Sequence, residues 1–196
     1  MRNFITNLSN RLPERKQALL NSISANTESV IYLEDNEVTG KTVFINEGVS
    51  EEYLTNKCFK IDNVSSKEVV LWAIDGGFIR TGRPLSSIYP RKCDCAFGFE
   101  NFIGFVEFKV NADPSAHWKT ILANRESACE QIGQTIYYIR DALGLINFLK
   151  IEGYTFEAYI CTPPTYPNKA TAIDSLAIEF LETHKIGLFE VSEKLC

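Results

Sequence analysis

The stretch KCDCAFGFENFIGFVEFKV, residues 92–110, constrains the fold of this chain more than any other. It is dense in aromatic and β-branched residues and is broken only at Glu100-Asn101, so it predicts two strands joined by a two-residue turn. Such a turn fixes the pairing. Opposed positions then add up to 201, which sets Phe99 against Phe102 and Asp94 against Glu107. Because side chains alternate along a strand, Cys93, Cys95, Phe97 and Phe99 are expected to share a face with Phe102, Gly104, Val106, Phe108 and Val110. That face is almost wholly apolar and must be core. The opposite face carries Asp94, Ala96, Gly98, Ile103, Phe105, Glu107 and Lys109, with its three ionisable groups at one end. A slip of one residue would drive Asp94 onto the apolar face, so packing and polarity specify the same register.

The remaining segments are placed around this hairpin. Leu12, Leu19, Leu20 and Ile23 share a helical face, and Pro13 stands where a first turn tolerates it, which predicts a surface helix from Leu12 to Ile23. Two β-rich runs between Ser29 and Asn46 flank Asp35, Asn36 and Gly40 and predict a second hairpin. Glu68 to Ile74 predicts a strand ending in the Asp75-Gly76-Gly77 turn, and Thr81 to Arg91, with Gly82, Pro84 and Pro90, a loop. A long helix is expected from His117 or Trp118 to Leu143 on the spacing of Ile121, Ala128, Ile132, Ile136 and Ile139, with Gly144 as its stop. A strand at Phe156–Cys161, a helix at Ala172–Leu181 and a strand over 186–191 complete the order, which implies an α/β sandwich around a mixed sheet.

With 196 residues, 45% of them hydrophobic, the chain can bury one sizeable core, and no run approaches the length of a membrane span. It reads as a single domain: an N-terminal helix and strands over 1–66, a core over 67–162, and a C-terminal helix and strand over 163–196. The net charge of −5 gives no global basic footprint, so any nucleic-acid contact must be local. Polar residues scattered from Met1 to Gln17 interrupt any signal-like apolar core, and the expected location is cytoplasmic. Six cysteines without a CxxC pair suit reduced core thiols; Cys93 and Cys95 are either packed in the core or the start of a zinc site.

Asp94, Glu107 and Lys109 are the best candidate site. Two neighbouring carboxylates on a sheet are costly unless a cation lies between them, and a hard divalent ion resolves that cost. Such an ion, held by Asp94 and Glu107, would polarise a phosphodiester while Lys109 neutralises charge, which is hydrolytic nuclease chemistry. The plain alternative is an ion-paired sheet face.

The order Pro90-x-x-Cys93-Asp94, then Glu107-Phe108-Lys109, then a long helix, then Phe156–Cys161 resembles the PD-(D/E)XK nuclease superfamily, with its restriction-endonuclease-like fold. The tract looks like the K-K-C-D and F-V-E-L-K stretches of small members, in which a helix with A-x-x-Q-hydrophobic follows; Ala128, Gln131 and Ile132 match it. The resemblance spans Glu68 to Cys161, and Cys93 fills the place of the proline next to the aspartate. It implies a restriction-endonuclease-like mixed central sheet flanked by helices, and metal-dependent hydrolysis of DNA or RNA with Mg²⁺ (or Mn²⁺) as cofactor. Asp94 and Glu107 would be the metal ligands, Lys109 the catalytic cation and Gln131 its support. A further acidic ligand, often supplied by the first core helix, has candidates in Glu14, Glu47, Glu51 and Glu52, and Asp75 could also approach. The alternative function is a catalytically inactive member of the same fold that serves as a protein-interaction or regulatory module. A small nuclease domain that relies on a protein partner for target recognition fits the lack of a separate DNA-reading motif.

Overall fold

The computed structural model describes residues 1–45, 48–76, 91–142, 144, 152–167 and 170–196. Chain order is α1 (Arg2–Arg11), a 3₁₀ turn (Pro13–Arg15), α2 (Lys16–Asn21), β1 (Ile23–Asn26), β2 (Val30–Asn36), β3 (Lys41–Phe44), α3 (Glu51–Lys57), β4 (Cys58–Asp62) and β5 (Val69–Ala73). Then come β6 (Cys95–Phe99), β7 (Phe102–Phe108), α4 (Trp118–Tyr137) running into a π-helical turn (Tyr138–Ala142), β8 (Thr155–Cys161), α5 (Ala170–His184), β9 (Gly187–Phe189) and β10 (Glu193–Leu195). The loop expected over 81–91 lies outside the described residues up to 90, as do Glu47, Gly77 and Leu143.

The β6–β7 hairpin has the expected register, with Phe99 on Phe102, Phe97 on Gly104 and Cys95 on Val106. It forms the middle of a six-stranded mixed sheet ordered β1-β5-β6-β7-β8-β9. Pairings from β1 to β7 are antiparallel, and β7-β8 and β8-β9 are parallel. All of β6 and β7 is buried, as a strand covered on both faces must be. Gly104 is there for space: a methyl group on it would lie 2.6 Å from the Phe97 ring and 3.0 Å from Tyr159.

The two faces meet different partners. Val70, Trp72, Ala96, Ile103, Phe105, Ala158 and Ile160 pack under helices, against Phe4 and Leu8 of α1, Leu19 of α2, and Ala128, Ile132 and Ile136 of α4. Leu71, Phe97, Phe102, Val106 and Tyr159 pack instead on Ile31, Leu33, Phe59 and Ile61, which belong to a second, four-stranded sheet ordered β10-β4-β2-β3. The architecture is therefore helices, sheet, sheet. A central sheet flanked by helices was expected; the second face is covered by strands because β2 and β4 alternate apolar and polar residues and need an apolar surface to lie on.

Several local expectations are corrected. The predicted Leu12–Ile23 helix is two pieces, a 3₁₀ turn and the short α2, and Ile23 opens β1 against Trp72. Helix α1, strands β1, β4 and β10 and helix α3 were not foreseen. Helix α5 is longer than its predicted span, and the strand expected over 186–191 shortens to Gly187–Phe189. Cys93 and Cys95 do not share a face: β6 begins only at Cys95, so Cys93 enters the layer under the helices and Cys95 the layer between the sheets. Both are free, fully buried thiols. Among the described residues no helix is long and apolar enough to cross a membrane.

Candidate active site

The site forms where β6 begins and β7 ends. In the hairpin register Asp94 falls opposite Glu107, one step beyond the Cys95–Val106 pair. Asp94 is held firmly: its Oδ2 accepts the Phe108 amide at 2.6 Å, and its carbonyl accepts the amides of Ile74 and Asp75 at 2.9 and 3.0 Å. Glu107 lies on the central strand, paired with Ile160 of β8, and its side chain is only 2% exposed. One oxygen, Oε1, receives Lys109 Nζ at 2.6 Å. The other, Oε2, is buried and receives no N–H or hydroxyl donor, but the Glu107 carboxyl lies within hydrogen-bonding reach of the Asp94 carboxyl.

Lys109 reaches the same side as Glu107 and also donates to Gln131 Oε1 at 3.0 Å. Gln131 sits on the face of α4 that looks down on the sheet. Its Oε1 also accepts from Ser127 Oγ at 3.2 Å, and its Nε2 donates to the Lys92 carbonyl at 3.2 Å. The amide thus ties the lysine to both the helix and the start of the hairpin. Gln134, three residues on, serves another purpose: it accepts the Arg91 amide and donates to Glu130. Tyr137 is exposed and Tyr138 buried, so the helix end offers a mixed surface rather than an aromatic platform.

Electrostatics separate this cluster from an ordinary surface ion pair. Burial pushes the Glu107 carboxyl up from 4.5 to about 7, against the pull of Lys109. Burial, and then the neighbouring Glu107 and Asp35, push Asp94 well above the usual carboxylate range; the Phe108 amide opposes this only in part. Two buried carboxyls that resist ionising side by side and lie within hydrogen-bonding reach of each other are a donor set suited to a hard cation that completes its shell with water. Asp94 and Glu107 are the residues that would hold it. Among the described residues no group of three or more His, Cys, Asp or Glu side chains is already gathered as a metal shell.

Two participants were not singled out from sequence as members of the site. Lys92, two residues before Asp94, has its side chain 7% exposed and its Nζ 3.1 Å from Asp75 Oδ1, so the Asp75 carboxylate is engaged by Lys92 while its amide donates to the Asp94 carbonyl. Lys92 precedes the strand by three residues, and a buried lysine in an irregular segment leaves no periodic signal. Asp35, read only as a polar residue of the β2–β3 hairpin, acts through space on Asp94 and Glu107. Of the acids considered for an additional ligand, Glu14, Glu51 and Glu52 are exposed elsewhere, and Glu47 lies outside the described residues.

Comparison of the chain with protein-family models, with curated proteins and with solved structures gives no match.

Proposed function

We propose that this protein is a metal-dependent phosphodiesterase, a nuclease hydrolysing DNA or RNA, with Asp94 and Glu107 as cation ligands and Lys109 as the catalytic lysine. The observation that carries the reading is the Glu107 side chain, buried on a central strand with one oxygen on Lys109 and its carboxyl set against that of Asp94. A plain ion pair would not bring a second buried carboxyl against Glu107; without a cation the two stay together only by sharing a proton. A bound Mg²⁺ or Mn²⁺ would supply Lewis-acid polarisation of a phosphoryl oxygen and a water of lowered pKa. The chain's own groups supply the rest. Asp94 is oriented by the Phe108 amide, so its carboxylate enters the site with one oxygen fixed. Lys109 brings a positive charge to the rim, where it can meet the charge that develops on a phosphoryl oxygen. Gln131, whose Oε1 also accepts from Ser127, holds that ammonium in place without neutralising it. The resemblance of the Asp94, Glu107-x-Lys109 and Gln131 order to the PD-(D/E)XK superfamily supports the same reading and the restriction-endonuclease-like character of the core.

The test is cleavage of single- and double-stranded DNA and RNA in Mg²⁺ or Mn²⁺, against chelator and against Lys109→Ala. Metal-dependent cutting that Lys109→Ala abolishes, in a variant whose circular dichroism shows it still folded, supports the proposal. Purified wild type that neither binds the ions at millimolar concentration nor cuts any of the four substrates refutes it, and the non-catalytic interaction module becomes the reading.

A further inference from the structure

The segment that leads into β6 is fastened on two sides. Residues 91–93 have no regular structure, yet toward α4 the Arg91 amide donates to Gln134 Oε1 at 3.2 Å, the Cys93 amide donates to Thr135 Oγ1 at 2.9 Å, and the Lys92 carbonyl accepts Gln131 Nε2 at 3.2 Å. Toward β5 the Asp94 carbonyl accepts the amides of Ile74 and Asp75 at 2.9 and 3.0 Å. One side chain joins the two sides. Lys92, 7% exposed, carries its ammonium back to Asp75 Oδ1 at 3.1 Å, and the same oxygen accepts the Gly76 amide at 2.7 Å. This closes a ring: Lys92 to the Asp75 carboxylate, the Asp75 amide to the Asp94 carbonyl, and the chain back through Cys93 to Lys92. From that ring Asp94 extends its side chain, and Oδ2 accepts the Phe108 amide, next to Glu107, at 2.6 Å. The pair itself is lopsided, because Asp75 is 47% exposed. The ammonium is desolvated for a partner that water still screens, and an apolar side chain of like length would fill the same space without that cost.

From this arrangement we infer that Lys92 is a positioning residue: through Asp75 it fixes the backbone of Asp94 and so sets the Asp94 carboxyl against Glu107, where the two can take one cation. The inference rests on the phosphodiesterase reading and deepens it. β6 begins only at Cys95, so Asp94 leads the strand rather than sitting within its ladder, and its place needs a separate fastening. Accuracy matters there, since a misplacement of about 1 Å can cost on the order of a hundredfold in rate. An ammonium cannot be a metal ligand, and its charge repels a cation. Lys92 therefore opposes metal binding by charge and favours it by position, and the two effects have opposite signs.

The experiment is Mn²⁺ titration of the full chain by calorimetry for wild type, Lys92→Met and Arg91→Ala, with thermal melts and amide hydrogen exchange of each in chelator. By charge alone, removing Lys92 would tighten Mn²⁺ binding. Loss of a residue that holds a ligand in place weakens metal binding by roughly 10–100-fold, so Lys92→Met is expected to bind at least about tenfold more weakly than wild type. Its melting midpoint is expected within about 3 °C of wild type or above it, because Asp75 left alone is half hydrated and keeps the Gly76 amide. Exchange of the Ile74 and Asp75 amides should quicken by roughly tenfold, while that of Ile103 in β7 stays at the wild-type rate. Arg91→Ala removes the neighbouring exposed pair with Glu130 and should change Mn²⁺ affinity by less than about twofold. Four results overturn the inference: unchanged or tighter Mn²⁺ binding by Lys92→Met, wild-type exchange of Ile74 and Asp75, an equal loss in Arg91→Ala, or a Lys92→Met midpoint lower by more than that margin, which would make the pair a stability element. In each of these, Mn²⁺ binding by wild type leaves the phosphodiesterase reading intact. Wild type that binds no Mn²⁺ overturns both.

Discussion

Replacing Glu107 by Gln in metal-free protein should stabilise it, and the gain should depend on pH in a defined way. Burial raises the Glu107 carboxyl from 4.5 to about 7 despite Lys109 Nζ at 2.6 Å. At about 1.4 kcal/mol for each tenfold change in proton affinity, the ionised form costs the folded state on the order of 3 kcal/mol. The sign follows from linkage. Below pH 4.5 the group is neutral in both states and contributes nothing; between 4.5 and 7 the unfolded chain ionises while the fold holds its proton, so stability falls; above 7 the loss is complete. Glutamine has the same shape and no charge to bury. Breaking a buried pair is ordinarily destabilising because an uncompensated charge stays behind, but Lys109 is 20% exposed and retains Gln131, so its ammonium is not stranded. In chelator, Glu107→Gln should melt with wild type near pH 4.5 and above it by roughly 6–12 °C at pH 8, using about 2–4 °C per kcal/mol for a chain of this size. Millimolar Mg²⁺ should close the gap by stabilising wild type alone. Calorimetric melts at half-unit pH steps measure this. Equal midpoints at pH 8, or a less stable glutamine variant, would show that the Lys109 pair outweighs burial and refute the reasoning.

Two further outcomes concern the frame of the site. Gly104→Ala places a methyl 2.6 Å from the Phe97 ring between two packed sheets and should cost about 1–3 kcal/mol, read as a lower urea midpoint with unchanged slope. Arg125 is 3% exposed and bidentate to Glu190, itself 7% exposed, so Arg125→Ala should cost about 3–5 kcal/mol by stranding a buried carboxylate. Adding Glu190→Gln should recover much of that, a coupling a double-mutant cycle measures.

What could be read in advance was whatever short-range periodicity encodes. The two-residue turn and strict alternation fixed the β6–β7 register, and with it the neighbourhood of Asp94, Glu107 and Lys109. The isoleucines of α4 oriented that helix, while Gln131 was singled out only by the resemblance of the Ala128, Gln131, Ile132 pattern; in the structure it accepts from Lys109. Helix α1 escaped notice because Asn3, Asn7 and Asn10 are poor helix formers and only Phe4, Ile5 and Leu8 mark its buried stripe. It forms because Phe4 packs on Trp72. The second sheet was hidden for another reason. Its strands are short, and nothing local says that β4 pairs with β2 and β10 rather than joining the main sheet. The through-space effect of Asp35 was therefore out of sight, since it depends on how one sheet lies on the other.

The order in which the site can assemble follows from the contrast between its two neighbouring pairings. The β6–β7 hairpin closes across a two-residue turn, a process of microseconds, whereas β7 meets β8 only after the intervening helix has been laid down. Asp94 and Glu107 are therefore brought side by side while both are still hydrated and their repulsion is weak. Their dehydration comes later, when β8 and α4 close over the strand ends. If the folding transition state precedes this closure it does not feel the buried charge, and the charge then acts mainly on how fast the native protein opens and little on how fast it forms.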